Sequence, residues 1–123
     1  MKNLYLAPTT KTPEIDFNVN GQFSINGNSY PEDVYEFYAH VMQWLEEFVA
    51  ENTNTIHLNV DLKFLNTSST RAILNIITKI GASSNYAVNV SWNYDAEDDD
   101  MLEIGEDLQS LTNLKFQFLE KAI

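Results

Sequence analysis

The chain reads as an α/β domain, one mixed β-sheet with helices packed on it, in the order β-β-α-β-α-β-α-β. Three observations predict this class. Two alternating polar–apolar segments flank Asn20-Gly21, the strongest short hairpin signal. Further on, apolar residues recur at helical spacing in segments that alternate with short strand-like runs. Helices alternating with strands imply right-handed crossovers, and so parallel pairing in the later part of the sheet.

Leu4-Tyr5-Leu6 reads as an additional edge segment, and Pro8 and Pro13 make the residues between them a loop. Glu14-Ile15-Asp16-Phe17-Asn18-Val19 and Gln22-Phe23-Ser24-Ile25 alternate as the two arms of the hairpin. Ser29-Tyr30-Pro31-Glu32 combines a capping-box pattern with a proline near a helix start. Val34, Phe37, Tyr38, Val41, Leu45 and Phe48 then form the apolar stripe of a helix running to about Glu51. The alternation from Ile56 to Leu62 is a strand that leads through Lys63-Phe64-Leu65 into a hydroxyl-rich cluster. Ile73, Leu74, Ile76, Ile77 and Ile80 define a second helix that stops at Gly81. Tyr86 to Tyr94 is another strand, an acidic segment opens a third helix to about Leu111, and Leu114 to Leu119 is the last strand. The spacing predicts that Val34, Phe37, Val41, Leu45 and Phe48 are buried beside Ile73, Ile76, Ile77 and Ile80.

A chain of 123 residues with 44% hydrophobic content is one domain with a proper core, and no Gly/Ser/Pro-rich stretch divides it. The absence of cysteine excludes disulfides, thiolate metal sites and cysteine nucleophiles. No signal peptide is visible after Met1, and no apolar run approaches the ~20 residues of a membrane span, so the chain reads as soluble and cytoplasmic. A net charge of −11 argues against nucleic acid and anionic membrane and favours a protein partner. Eight of the eighteen acids lie between Asp95 and Asp107, a segment that must face solvent.

The usual catalytic and metal constellations are missing. His40 and His57 have no second ligand at metal spacing, and no Gly-x-Ser-x-Gly turn supports a serine nucleophile. Asp95, Glu97, Asp99 and Glu106 coincide with EF-hand ligand positions, with Leu102 at the apolar one. However, Asp100 replaces the required glycine and a strand precedes the loop. These acids already have a structural reason, since a helix start favours negative charge. None of the four glycines belongs to a phosphate-binding fingerprint. No catalytic residue, metal or cofactor is expected, and an enzyme is poorly supported.

The segment Asn66-Thr67-Ser68-Ser69-Thr70-Arg71 stands apart. It sets four consecutive hydroxyl residues at the start of a helix and holds the only arginine of the chain. The unpaired N–H groups and partial positive charge of a helix start suit a phosphate. An arginine there opposes the dipole unless an anion accompanies it. Ser, Thr and Asn are equally the preferred N-cap residues, so the cluster by itself also reads as a cap with a polar loop. Tyr35, Met42 and Trp44, off the main stripe of the first helix, form a candidate contact surface.

The order of elements, with a Ser/Thr loop joining the third strand to the second helix, resembles the STAS fold of anti-anti-sigma factors. In those proteins the hydroxyl phosphorylated by a partner kinase begins that helix. More specifically, four stretches are similar to the SiaC family of bacterial regulatory phosphoproteins: Gly27-Asn28-Ser29-Tyr30-Pro31-Glu32, the aromatic-rich helix through Trp44, Phe64 to Ala72, and Trp92-Asn93-Tyr94-Asp95. The resemblance spans nearly the whole chain and implies a non-enzymatic switch. A threonine is phosphorylated by a dedicated kinase and dephosphorylated by a PP2C-type phosphatase. The unphosphorylated form binds and activates a diguanylate cyclase, which links the switch to cyclic-di-GMP and biofilm behaviour. By position the acceptor is Thr67, with Ser68, Ser69 and Thr70 as alternates and Asn66 and Arg71 as phosphate-supporting residues. Asn66 before the acceptor and Ser69 in place of glycine depart from the STAS pattern and agree with the SiaC-like subgroup. The alternative is a STAS-like partner-switching module without a cyclase.

Overall fold

The alternating segments pair into a single six-stranded sheet in the computed structural model, which describes residues 1–121. The strands are β1 (Leu4–Leu6), β2 (Glu14–Phe17), β3 (Gln22–Ser29), β4 (Ile56–Leu65), β5 (Val88–Asp95) and β6 (Phe116–Lys121). The helices are α1 (Val34–Glu51), α2 (Thr67–Gly81) and α3 (Asp99–Thr112). Strands lie side by side in chain order. The first three are antiparallel and β3 to β6 are parallel, as a hairpin followed by crossover units requires. Gly21 closes the β2–β3 turn at φ +98°, and a Cβ there would stand 2.3 Å from the Thr55 carbonyl oxygen, so only glycine fits.

Consecutive right-handed crossovers in one direction put all three helices on one face of the sheet. The period-2 pattern of the strands matches that arrangement. Ile15, Phe17, Phe23, Ile25, Leu58, Val60, Val90 and Trp92 face the helices and are buried. The other face stays open, crossed by a polar row of Ser24, Asn59, Ser91 and Gln117 in register. Parallel strands are usually covered on both faces and read as continuous apolar runs. Here one face meets water, which is why the strands alternate and could be found.

Several boundaries differ from expectation for identifiable reasons. Ser29 does not cap the first helix. Parallel pairing of Ser29 with Leu65 carries β3 past a register shift at Gly27/Asn28, where Gly27 takes φ +125°. The cap is Asp33, whose carboxylate accepts from the Glu36 N–H at 3.0 Å. The same pairing extends β4 to Leu65, so Lys63-Phe64-Leu65 is strand rather than linker. β5 begins at Val88 rather than Tyr86. Val41, Leu45, Phe48, Ile73, Ile76, Ile77 and Ile80 are buried as the spacing predicts. Val34 and Phe37 lie half-buried at the rim, and Tyr38 takes the inner place. No helix among the described residues is long and apolar enough to cross a membrane.

Packing of α3 on the sheet depends on Gly105. A Cβ there would lie 2.5 Å from the ring of Trp92, which is fully buried and donates from Nε1 to the Met101 carbonyl at 2.9 Å. Gly105→Ala gains up to ~1 kcal/mol of helix propensity but overpacks this contact by about 1–3 kcal/mol. Urea denaturation should therefore show a net loss of stability. A stabilised variant would mean that α3 does not seat on Trp92.

Candidate functional site

The end of β4 runs into α2 with one residue between them. Asn66 is extended (φ −83°, ψ 171°), and its side-chain oxygen accepts from the Ser69 N–H at 2.9 Å. Its own N–H donates to the Ser29 carbonyl at 3.2 Å. Asn66 is thus the N-cap, and Thr67 is the first helical residue. The cap and the phosphoacceptor candidate are separate residues, and the two readings of the cluster do not compete.

The four hydroxyls differ sharply in environment. Ser69 is 0% exposed, and Ser29 Oγ donates to its Oγ at 2.8 Å. Tyr38 Oη lies 2.7 Å from Ser29 Oγ. Because the single Ser29 proton goes to Ser69, Tyr38 is the donor of that pair. The result is a buried chain, Tyr38 to Ser29 to Ser69, that ties α1, β3 and α2 together. Thr70 is half-buried, and its hydroxyl donates to the Asn66 carbonyl at 3.0 Å. Thr67 and Ser68 are exposed and make no side-chain hydrogen bond among the described residues. Of the alternates to Thr67, Ser69 therefore has no accessible hydroxyl, Thr70 has an engaged one, and only Ser68 is open.

Arg71 follows Thr67 by four residues, the spacing at which helical side chains meet. It is exposed and forms no ion pair among the described residues. It sits on a ridge between two grooves. One, of about 360 Å³, runs between α1 and α2 and includes Tyr35, Met42 and Ser68. The other, of about 550 Å³, runs between α2 and α3 and includes Thr67, Thr70, Asp107 and Leu111.

The structure separates the three contact-surface candidates of the first helix. Tyr35, 83% exposed, and Met42 border the α1–α2 groove. Trp44 is engaged elsewhere: it stacks on Phe48 with centroids 5.0 Å apart, meets Phe17 and Phe23 edge-on, and donates from Nε1 to the Lys2 carbonyl at 2.8 Å. Its surface is spent on the hairpin and the N-terminal segment. In the acidic segment, Asp98 caps α3 by accepting from the Met101 N–H at 3.0 Å, and Asp95 lies 3.5 Å from Lys121. Among the described residues, no three His, Asp or Glu side chains converge to hold a metal ion.

The Tyr38–Ser29–Ser69 chain escaped sequence reasoning. Its signal was a serine and a tyrosine on inward-facing positions of a strand and a helix stripe, where polar atoms need partners.

Together these features define a small α/β domain with an exposed, hydroxyl-rich helix start between two grooves. The model of SiaC family regulatory phosphoproteins matches residues 6–121, and the chain belongs to that family. An uncharacterised protein of Pseudomonas aeruginosa (strain UCBPP-PA14) is 30% identical over 119 residues, covering 94% of each chain. Among solved structures, the complex of the diguanylate cyclase SiaD with its activator SiaC, from Pseudomonas aeruginosa, contains a chain that superimposes with a TM-score of 0.86. That chain is 29% identical, and the match covers 96% of this chain and 99% of that one. Apo-SiaC of the same organism gives a TM-score of 0.81 at 31% identity over 99% and 100% of the two chains.

Burial is the main cause that raises the Tyr38 phenol to about 12 from 10.0. The fold favours the protonated form, so the stability this residue contributes is complete below pH about 10 and declines as the pH rises toward about 12. Urea unfolding across that window should show wild type losing more stability than Tyr38→Phe. At neutral pH the variant should cost about 1–2 kcal/mol for the broken hydroxyl chain. Parallel losses in the two proteins would place the phenol in water.

Proposed function

We propose that this chain is a non-enzymatic regulator that, with Thr67 unmodified, binds and activates a diguanylate cyclase. Phosphorylation of Thr67 by a dedicated kinase ends that interaction, and a PP2C-type phosphatase restores it. One observation carries the reading: in a member of a regulatory phosphoprotein family, Thr67 presents a free hydroxyl at the first position of α2, one turn from Arg71. The cyclase partner comes from the likeness to SiaC, which is an activator bound to SiaD in its complex.

The chemistry needs no rearrangement of the fold. A phosphoryl group adds about −1.5 to −2 charges. It would do so on a surface that already totals −11, in a groove that also contains Asp107. The N–H groups of Thr67 and Ser68 have no acceptor among the described residues and supply donors at the positive end of the helix. A partner that docks here meets repulsion and finds those donors occupied.

Cyclic-di-GMP production by a diguanylate cyclase mixed with wild type, Thr67→Ala and Thr67→Asp tests the proposal. Thr67→Ala should activate like wild type, because Asn66 rather than Thr67 is the cap and the change costs well under the ~1 kcal/mol of a lost cap. Thr67→Asp should activate less, one carboxylate being a partial imitation of phosphate. Equal activation by both variants would remove Thr67 from the switch, and no activation by any form would remove the cyclase.

A further inference from the structure

The open face of the sheet has a composition that sheet formation does not explain. Its positions on β4 and β5 are His57, Asn59 and Asp61, and Asn89, Ser91 and Asn93, with no β-branched residue among them. Asparagine is among the residues that strands disfavour. Asn93 has a structural reason to be there, since its Nδ2 donates at 2.9 Å to both the Asn59 side-chain oxygen and the Val60 carbonyl. Asp61 has another, as the ion-pair partner of Lys121. Asn89 and Ser91 share neither.

These two line a hollow of about 420 Å³ at the start of the parallel strands, at the opposite end of β4 from Thr67. Its polar side chains are His57, Asn89, Ser91, Lys115 and Gln117, with no carboxylate, although the chain contains eighteen. Strand register brings them together. His57 pairs with Asn89, Ser91 pairs with Gln117, and Lys115 immediately precedes Phe116, the partner of Val90. Neighbouring strands lie about 4.8 Å apart and same-face residues of one strand about 6.6 Å apart, so the five groups surround an area the size of one small molecule.

Nδ2 of Asn89 stands 3.4 Å from Nδ1 of His57, which makes Nδ1 the acceptor and leaves the imidazole proton on Nε2. Lys115 is exposed and forms no ion pair among the described residues. A lone ammonium in a hollow free of carboxylates asks for an anion. Amides and hydroxyls both donate and accept, as the hydroxyls of a polyol do. The volume lies within the roughly 300–1,000 Å³ of small-molecule sites.

We infer that this hollow binds a sugar phosphate, with the phosphoryl group on Lys115 and the sugar hydroxyls against Asn89, Ser91 and Gln117. The site is separate from the proposed switch, because none of its groups belongs to α2 or to either groove beside it.

Titration of the isotope-labelled chain with glucose 6-phosphate, followed through backbone amide shifts by NMR, tests the site. Saturable shifts are expected at His57, Asn89, Ser91 and Lys115 to Gln117, with inorganic phosphate and glucose each binding at least fivefold more weakly. Lys115→Gln should weaken glucose 6-phosphate at least fivefold. Lys63→Gln removes the same charge six residues beyond His57 on β4, about 20 Å away, and should change the affinity less than twofold. Equal weakening by the two variants overturns the site, because the attraction would then be one of net charge. Shifts centred on Thr67 to Arg71, or no saturable shift, overturn it as well. Inorganic phosphate binding as tightly as glucose 6-phosphate overturns the assignment of a sugar.

Discussion

Everything about the hydroxyl-rich helix start follows from one buried contact, the chain from Tyr38 through Ser29 to Ser69. Each of its hydrogen bonds contributes only about 1 kcal/mol net, but leaving a buried hydroxyl without a partner costs about 1–3 kcal/mol. The asymmetry decides the geometry. Once Ser29 is carried inward by the extended β3, Tyr38 and Ser69 must come to it, and together with the buried stripe of Ile73, Ile76, Ile77 and Ile80 this fixes the rotation of α2 about its own axis. With Ser69 turned in, Thr67 and Ser68 are turned out and Arg71 falls on the ridge between the two grooves. The buried trio thereby leaves Thr67 and Ser68 as the two exposed hydroxyls of the run.

The rest of the fold supplies a rigid base. Sequential strand order puts the helices on one side and leaves on the other a sheet face crossed by a polar row. Acids gather along and before α3, where Asp98 to Asp100 complement the helix dipole, and the lining of the α1–α2 groove includes no carboxylate. Charge is thus distributed so that a further negative group at Thr67 falls between an acidic flank and the one arginine. For the proposed phosphorylation of Thr67, electrostatics alone would suffice as the switch.

The α/β class, the hairpin at Asn20-Gly21 and the three helices were legible because the open sheet face keeps the strands alternating and each helix has one apolar stripe. The extension of β3 and β4 was not, because it comes from parallel pairing between segments some forty residues apart, which local pattern cannot express. For the same reason Ser29 reads as a cap and is in fact a buried bridge. Asn66, Thr67 and Arg71 were legible as a helix start, and family resemblance singled out Thr67. The difference between an exposed Ser68 and a buried Ser69 lies only in the tertiary contact. Trp44 read as surface because two of its aromatic partners, Phe17 and Phe23, which it meets edge-on, lie on the hairpin far back in the chain.

The central claim is that burial, more than residue type, selects the modifiable hydroxyl in a run of four. Phosphosite mapping by mass spectrometry, on the folded chain incubated with its kinase, tests this most directly. The account predicts phosphate on Thr67 and none on Ser69. Phosphate on Ser69 or Thr70 with Thr67 left unmodified would contradict it, because those hydroxyls are held by Ser29 and by the Asn66 carbonyl.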